Sequence, residues 1–422
     1  MKRKDFIKIS ALGGMSIMVN GHSMSSVSKK FLFENFDCNG FDDRIMILVQ
    51  LRGGNDGLNT VIPLNQFDKY AQIRPNIHLE NGGKNSLINL DNTLTIEDQV
   101  GLHPSLTGFK DLYDKGSLNI IQAVSYPKHN RSHFKSTDLL LTGGDGEQEN
   151  FNIETGWIYR FLESQYGQQI SQDPLGIQLG SNKPSLGFHS EEEHAIDLNL
   201  SGQDPAGYFS LISSIGNIPV SKTPKSHYGE NLQKIMEVED DIVEYGERIS
   251  HVFNNGNNEV SYPETEFADQ LKTVARLLSG GSKTKFFLVS LGGFDTHNAQ
   301  VENGRKHVGK HADLLKTLSE GIVSFQNDLE SLGLADKVVT ATFSEFGRKA
   351  VENGNSGTDH GNMAPLFVIG KGVKGGVSGT NVDLSTIDNN GQLNIIPPND
   401  HFIVPDEETY NRLHPNHVGL NR

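Results

Sequence analysis

Asp295 and His297 stand two residues apart directly after an apolar run, in FFLVSLGGFDTH (286–297). If the backbone stays extended there, both side chains project to the same side, which suits two ligands on one ion. Three other apolar runs begin or end with groups of the same kind. RIMILVQLRGGNDGLN (44–59) carries Asn55 and Asp56, VVTATFSEFGR (338–348) carries Glu345 and Arg348, and TDHGNMAPLFVIGKG (358–372) leads with Asp359 and His360. Carboxylates and imidazoles without thiolates are the donors of a divalent cation site, Zn²⁺ or Mn²⁺ first, with Mg²⁺ or Ca²⁺ also accommodated. A fifth cluster, HNRSHF (129–134), sets Ser132 among His129, Arg131 and His133. A serine there can attack an ester while an arginine steadies the transferred anionic group and a metal lowers the hydroxyl's pKa. His129, His133 and Asn55 would then face the substrate.

Each cluster also has a plainer structural reading. GGNDG (53–57) is what an ordinary strand-capping turn looks like. Ser132 suits the N-cap of a helix suggested by Lys135–Leu141, and GGFDTH suits a surface loop. TDHG and GGNDG could hold Ca²⁺ purely for stability, through carbonyl-rich oxygen coordination. What the plain readings do not share is a reason for four such clusters to sit at strand ends. In α/β folds that edge is where ligands bind.

The chain has 422 residues and a formal net charge of −15. That charge argues against a nucleic-acid partner and against adhesion to an anionic membrane, both of which need clustered Lys and Arg. A small anionic ester is still acceptable, because a local cation reverses the field at a site. Cys38 is the one cysteine, so no intramolecular disulfide forms and no thiolate metal site can be assembled. No run approaches the roughly 20 apolar residues of a membrane span. No nucleotide cofactor is expected. Lys2, Arg3 and Lys4 precede a weakly apolar stretch, ISALGGMSIMV, the order of an export signal, expected over 1–28 with a linker over 29–43.

Positioning these clusters requires strands that share an edge. Strands are expected at 118–124 and 177–180 and in the apolar runs of 44–59, 286–297, 338–348 and 358–372, and helices at 105–115, 156–164, 230–253, 264–280 and 305–332. In the 264–280 helix, Phe267, Leu271, Val274 and Leu278 fall at the spacing of a buried stripe. Strands alternating with helices of this length predict a three-layer α/β/α fold with a mostly parallel, doubly wound sheet. Residues 65–100 read as irregular, and 396–422 as an irregular tail beyond a main domain at 44–395.

The blocks LRGGNDGLNTVIPL, GLHPSL, YPKHNRSHF, TGWIYRFL, GGFDTH, FSEFGR and DHGNMAPLFVIGKGVKGG together resemble the bacterial domain-of-unknown-function family 1501, over about residues 44–380. That family is placed in the alkaline phosphatase and sulfatase-like superfamily. The resemblance implies an alkaline-phosphatase-like core and a metal site that hydrolyses phosphate or sulfate esters. Its members carry twin-arginine export signals; RKDFIK is similar to that motif with lysine for the second arginine, which implies a periplasmic or extracellular protein. The resemblance makes Asp56, Asp295, His297, Glu345 and His360 metal ligands and Ser132 the nucleophile; Asp359, beside His360, adds a further metal donor, and Arg131 or Arg348 would clamp the anionic ester oxygens. A second cation is implied near Asp56 and Glu345. Phe346, however, stands where histidine is usual, which depletes that second site and leaves room for a non-catalytic binding protein on the same fold. The implied substrate is a small anionic ester or a decorated glycan.

Overall fold

The computed structural model describes residues 18–19, 22–23, 44–125, 130–143, 155–166, 173–181, 185–189, 197–200 and 247–394. The expected export signal, linker and C-terminal tail, most of the 230–253 helix, and His129 lie outside them, apart from four residues of the first.

The strands, in chain order, are β1 (Met18–Val19), β2 (His22–Ser23), β3 (Ile45–Arg52), β4 (Val61–Pro63), β5 (Ile88–Asn89), β6 (Val100–Leu102) and β7 (Leu118–Ser125). There follow β8 (Gly176–Gln178), β9 (Asp197–Asn199), β10 (Phe286–Gly292), β11 (Val338–Phe343), β12 (Ala364–Ile369) and β13 (Gly376–Ser378). The main sheet runs β2-β1-β7-β12-β11-β3-β10-β8-β9, with β13 beside β7. From β11 to β9 every neighbour is parallel. The helices are α1 (Phe67–Ile73), α2 (Thr107–Asp114), α3 (His133–Thr142), α4 (Trp157–Tyr166), α5 (Glu266–Ser279) and α6 (Lys310–Ser331).

Period-two alternation makes this a three-layer structure. Ile47, Val49 and Leu51 of β3 and Phe287, Val289 and Leu291 of β10 enter one core with α2, α5 and α6. Leu48, Phe286 and Leu288, from the other face of the same strands, enter a second core with α3 and α4. Helix α6 contributes Leu315, Leu318, Ile322, Phe325 and Leu329, all fully buried, at alternating spacings of three and four. Each such side chain stabilises the fold by about 1.5–3 kcal/mol relative to exposure. Helix α5 is capped by the Thr265 hydroxyl, which accepts from the Ala268 amide at 3.2 Å.

The sequence reading differs from the structure in three places. First, β12 runs antiparallel to both β11 and β7. No helix separates β11 from β12, so the chain leaves and re-enters the sheet at the same edge. Second, α6 starts at Lys310 rather than at 305, because Gly309 at its N-cap has φ +133°, outside helical space. Third, residues 65–100 are not wholly irregular: they hold α1 and two strands of the small antiparallel sheet β4-β6-β5. No helix among the described residues is long and apolar enough to cross a membrane.

The site depends on the re-entry. Parallel β3, β10 and β11 all end at one edge, and the antiparallel β12 begins there. The 344–363 loop between β11 and β12 is pinned to itself by Lys349 N–H to Asp359 O (2.9 Å) and Gly361 N–H to Gly347 O (2.8 Å). Arg348 and His360 consequently face each other as a β-bridge.

Candidate metal centre

His133, Asp295 and His360 place one donor atom each within 4.8 Å of one another. They come from the first turn of α3, the loop after β10, and the loop before β12. His297 joins them: its Nε2 lies 2.9 Å from His360 Nε2 and 3.2 Å from Asp295 Oδ1, and His360 Nε2 is 3.3 Å from that same oxygen. A tetrahedral shell with bonds near 2.0–2.1 Å has donor–donor edges of about 3.4 Å. The Asp295–His297–His360 triangle is close to one face of such a shell, and imidazole plus carboxylate is a donor set that zinc and manganese accept. The residues therefore fit the cation that the sequence reading called for.

The surrounding groups orient these donors. His133 Nδ1 lies 2.8 Å from Glu345 Oε1, which also accepts the Gly53 amide at 2.7 Å. A carboxylate on one ring nitrogen fixes the tautomer and leaves the other nitrogen as a donor to a metal. Glu345 raises the His133 pKa above its ordinary value, first through this hydrogen bond and against partial burial. Nε2 of His133 is buried, has no hydrogen-bond partner among the described residues, and lies 3.5 Å from Asp295 Oδ2. His360 Nδ1 is held by the Arg131 carbonyl at 2.8 Å, and burial pushes its pKa down. Asp359 lies 3.3 Å from His297 Nδ1; burial works to raise its pKa, but Asn353, His297 and Lys349 hold it low.

Asp295 is governed by Arg348. Burial would raise its pKa, but the guanidinium, 2.6 Å from Oδ1, holds it below the usual carboxylate range. The remaining Arg348 donors go to the carbonyls of Gly53, Gly54, Thr358 and Phe294. Arg348 is thus a buried cross-link between three loops, with no face left to clamp an ester. Close packing explains the glycines here: a Cβ on Gly53 would sit 2.3 Å from the Asp295 nitrogen, and one on Gly54 would sit 2.5 Å from the Phe346 ring.

Asp56 also departs from its expected role. It is buried, with Arg74 at 2.7 and 2.9 Å on its two oxygens and the Gln300 amide at 2.6 Å. Burial would raise its pKa, but Arg74 outweighs this, and the carboxyl stays low. A guanidinium holds Asp56, so the second cation expected between Asp56 and Glu345 finds no free oxygen on Asp56. Asn55 is fully buried and accepts from the Thr60 hydroxyl at 3.0 Å, so it supports the turn rather than facing substrate. Phe346 packs against His133 and His360 with ring centroids 4.8 and 4.6 Å apart, filling the place of a further ligand.

Ser132 is the N-cap residue of α3, yet its hydroxyl makes no capping bond and is exposed beside His133. Arg131 is exposed as well. Arg52, at the end of β3, went unnoticed in the sequence. It is exposed, lines the cleft that contains His133, Asp295 and Glu345, and has no ion-pair partner among the described residues. The signal was available: period two along β3 puts residues 46, 48, 50 and 52 on one face.

A buried polar floor lies under the Asp56 turn. His311 Nε2 is 3.2 Å from the Thr60 hydroxyl, and the His103 ring stacks edge-on at 6.0 Å. Burial pushes His311 down to about 4 and His103 to about 3. Both rings are neutral in the folded state, while in the unfolded chain they take up protons near pH 6.5. Their contribution to stability is therefore complete above about pH 6.5 and is lost as pH falls toward 4. We expect the unfolding free energy from urea titrations to drop across that window, by about 1.4 kcal/mol per pH unit for each titrating ring. The slope should flatten in His311→Gln; an unchanged slope would contradict the assignment.

Residues 232–394 match the family described as "Protein of unknown function (DUF1501)". The resemblance read from the sequence is borne out over that stretch, which carries Asp295, His297, Glu345, Arg348, Asp359 and His360. No curated protein matches the chain. Among solved structures, the chain is similar to a protein in the alkaline phosphatase superfamily from Vibrio parahaemolyticus, at 9% identity and TM-score 0.32, covering 91% of this chain and 72% of that one. It is also similar to the lipoteichoic acid synthase LtaP from Listeria monocytogenes, at 8% identity and TM-score 0.28, covering 86% and 70%.

Proposed function

We propose that this is an exported, metal-dependent hydrolase of phosphate or sulfate esters. The observation that carries the reading is the Asp295–His297–His360 triangle with His133 beside it, of which Asp295 and His133 line a cleft of about 670 Å³. A bound zinc or manganese ion would supply Lewis acidity, polarising an ester oxygen and lowering the pKa of an attacking hydroxyl. Ser132, exposed and uncommitted at the N-terminus of α3, or else water, is the nucleophile in this reading. The helix terminus favours negative charge developing there. Arg131 and Arg52 are the cations free to meet the anionic ester oxygens, and Arg348 acts by holding Asp295. The basic start of the chain and the motif-like RKDFIK support export.

The test is elemental analysis of protein purified without chelator, with turnover of p-nitrophenyl phosphate and p-nitrophenyl sulfate, on the natural chain and on Asp295→Ala/His360→Ala. About one equivalent of zinc or manganese and metal-dependent turnover, both lost in the variant, are expected. Absence of metal and turnover in the natural chain would leave the second reading, a secreted non-catalytic binding protein. Phe346 and the Arg74–Asp56 pair favour that reading, because together they remove a second cation site.

A further inference from the structure

Every histidine of the donor cluster has its Nδ1 against an acceptor. His133 Nδ1 is 2.8 Å from Glu345 Oε1, His297 Nδ1 is 3.3 Å from Asp359 Oδ1, and His360 Nδ1 is 2.8 Å from the Arg131 carbonyl. A carbonyl or an ionised carboxylate can only accept, so each ring carries its proton on Nδ1 and leaves the Nε2 lone pair bare. All three Nε2 atoms turn to Asp295. Those of His297 and His360 lie 3.2 and 3.3 Å from Oδ1, and that of His133 lies 3.5 Å from Oδ2. Three imidazole lone pairs and a carboxylate therefore meet at one place. The proton that reaches them from outside is the Arg348 N–H, 2.6 Å from Asp295 Oδ1. His133 Nε2 is buried and has no hydrogen-bond partner among the described residues. A divalent cation satisfies all four donors at once, which a single proton cannot.

The two carboxylates behind these rings are spent differently from Asp295. Glu345 is 2% exposed and puts Oε1 on two N–H groups, the His133 ring and the Gly53 amide at 2.7 Å. The His133 ring stands between that oxygen and Asp295. Asp359 shares Oδ1 between His297 and the Asn353 side-chain amide at 3.2 Å, and its Oδ2 faces Lys349 Nζ at 3.4 Å. A carboxylate on the far nitrogen of a ligating histidine fixes the ring and raises its basicity.

We propose that His133 is the fourth protein ligand of a single-ion centre with Asp295, His297 and His360, and that Glu345 and Asp359 stand outside it as positioning residues for His133 and His297. This departs from the ligand set that the family resemblance implies, which includes Glu345 and leaves out His133. It rests on the cation of the proposed function and not on ester turnover. His133 is the one ligand drawn from α3, so the ion fastens the start of that helix, and Ser132 with it, to the loops after β10 and before β12.

Zinc dissociation constants would be measured by chelator competition on the full chain and on His133→Ala, Glu345→Gln, Asp359→Asn and Asp295→Asn, and X-ray absorption of the zinc-loaded chains would count imidazoles. Three are expected in the natural chain and two in His133→Ala, whose affinity should fall on the order of 100-fold. Glutamine at 345 still offers the His133 Nδ1 proton an oxygen. Glu345→Gln should therefore keep all three imidazoles and lose no more than about 10-fold, the low end for an outer partner, and Asp359→Asn should behave in the same way. Urea midpoints of the metal-free chains separate a lost ligand from a damaged fold. Two imidazoles in the natural chain, or zinc affinity unchanged in His133→Ala, would overturn the proposal. So would a loss in Glu345→Gln as large as that in Asp295→Asn, which would make Glu345 a ligand. Zinc held as expected without ester turnover sinks the hydrolase reading and leaves the centre standing. Turnover with zinc binding indifferent to His133 does the reverse, and a natural chain that binds no zinc sinks both.

Discussion

Arg74→Ala should be the most destabilising single substitution in the chain outside the apolar cores, by about 3–5 kcal/mol. The guanidinium is fully buried and makes five contacts: both Asp56 oxygens, Asn59 Oδ1, and the carbonyls of Lys349 and Ala350. Removing it leaves the Asp56 carboxylate in a dry site with only the Gln300 amide for company. A buried charge without its partner costs several kilocalories, and the carboxyl will take up a proton instead. The damage should also travel, because Arg74 ties the start of the chain's first βα turn to the loop that carries Asp359 and His360. The paired change Arg74→Met/Asp56→Asn removes both charges at similar volume and should recover part of the loss. Urea unfolding of the three chains decides this. If Arg74→Ala were nearly neutral, the ion pair would not be holding the turn.

The pair also shows where a single sequence stops being informative. Strand ends were legible because an apolar run bounded by a glycine-containing polar cluster carries its own local signal. So β3, β10 and β11 could be read, and with them the residues delivered to their shared edge. Asp295, His297 and His360 were legible for the same reason, since each sits within a few residues of such a boundary. The partners of those residues were not. Asp56 meets Arg74 18 positions away and Gln300 244 away, and His133 meets Glu345 212 away. Nothing local at 74 or 300 announces this.

A carboxylate at a strand end reads alike whether a metal or an arginine holds it. Burial decides between them, and burial is a property of the packed loops. Arg348 was misread in the same way: a charged residue near a site suggests a ligand clamp, but its donors are consumed by four carbonyls and Asp295. The antiparallel return of β12 was hidden because direction depends on which edge a loop regains, not on the composition of the strand.

Asp295→Asn should reduce divalent-metal affinity by on the order of 100-fold while leaving the fold intact. Four-ligand zinc sites are worth about 10–16 kcal/mol, hence roughly 3 kcal/mol or more per ligand. Asparagine keeps an oxygen that Arg348 can donate to, so the guanidinium keeps its anchor, and its bonds to the Gly53, Gly54, Phe294 and Thr358 carbonyls hold the loops. What it loses is the negative charge between three imidazoles, and one donor of the Asp295–His297–His360 triangle. Without that carboxylate, His297 and His360 face each other at 2.9 Å with only a hydrogen bond to reconcile them, and a cation there would have neutral ligands alone. Titration with Zn²⁺ and with Mn²⁺, read by calorimetry, should show the weakened isotherm, while the urea midpoint of the metal-free protein moves little. Asp295→Ala should lose metal to the same degree and destabilise further, because Arg348 then loses its hydrogen-bond acceptor as well as its counter-charge. Equal metal affinity in the natural chain and Asp295→Asn would mean that the triangle is a hydrogen-bonded loop clasp, and the hydrolase reading would fail with it.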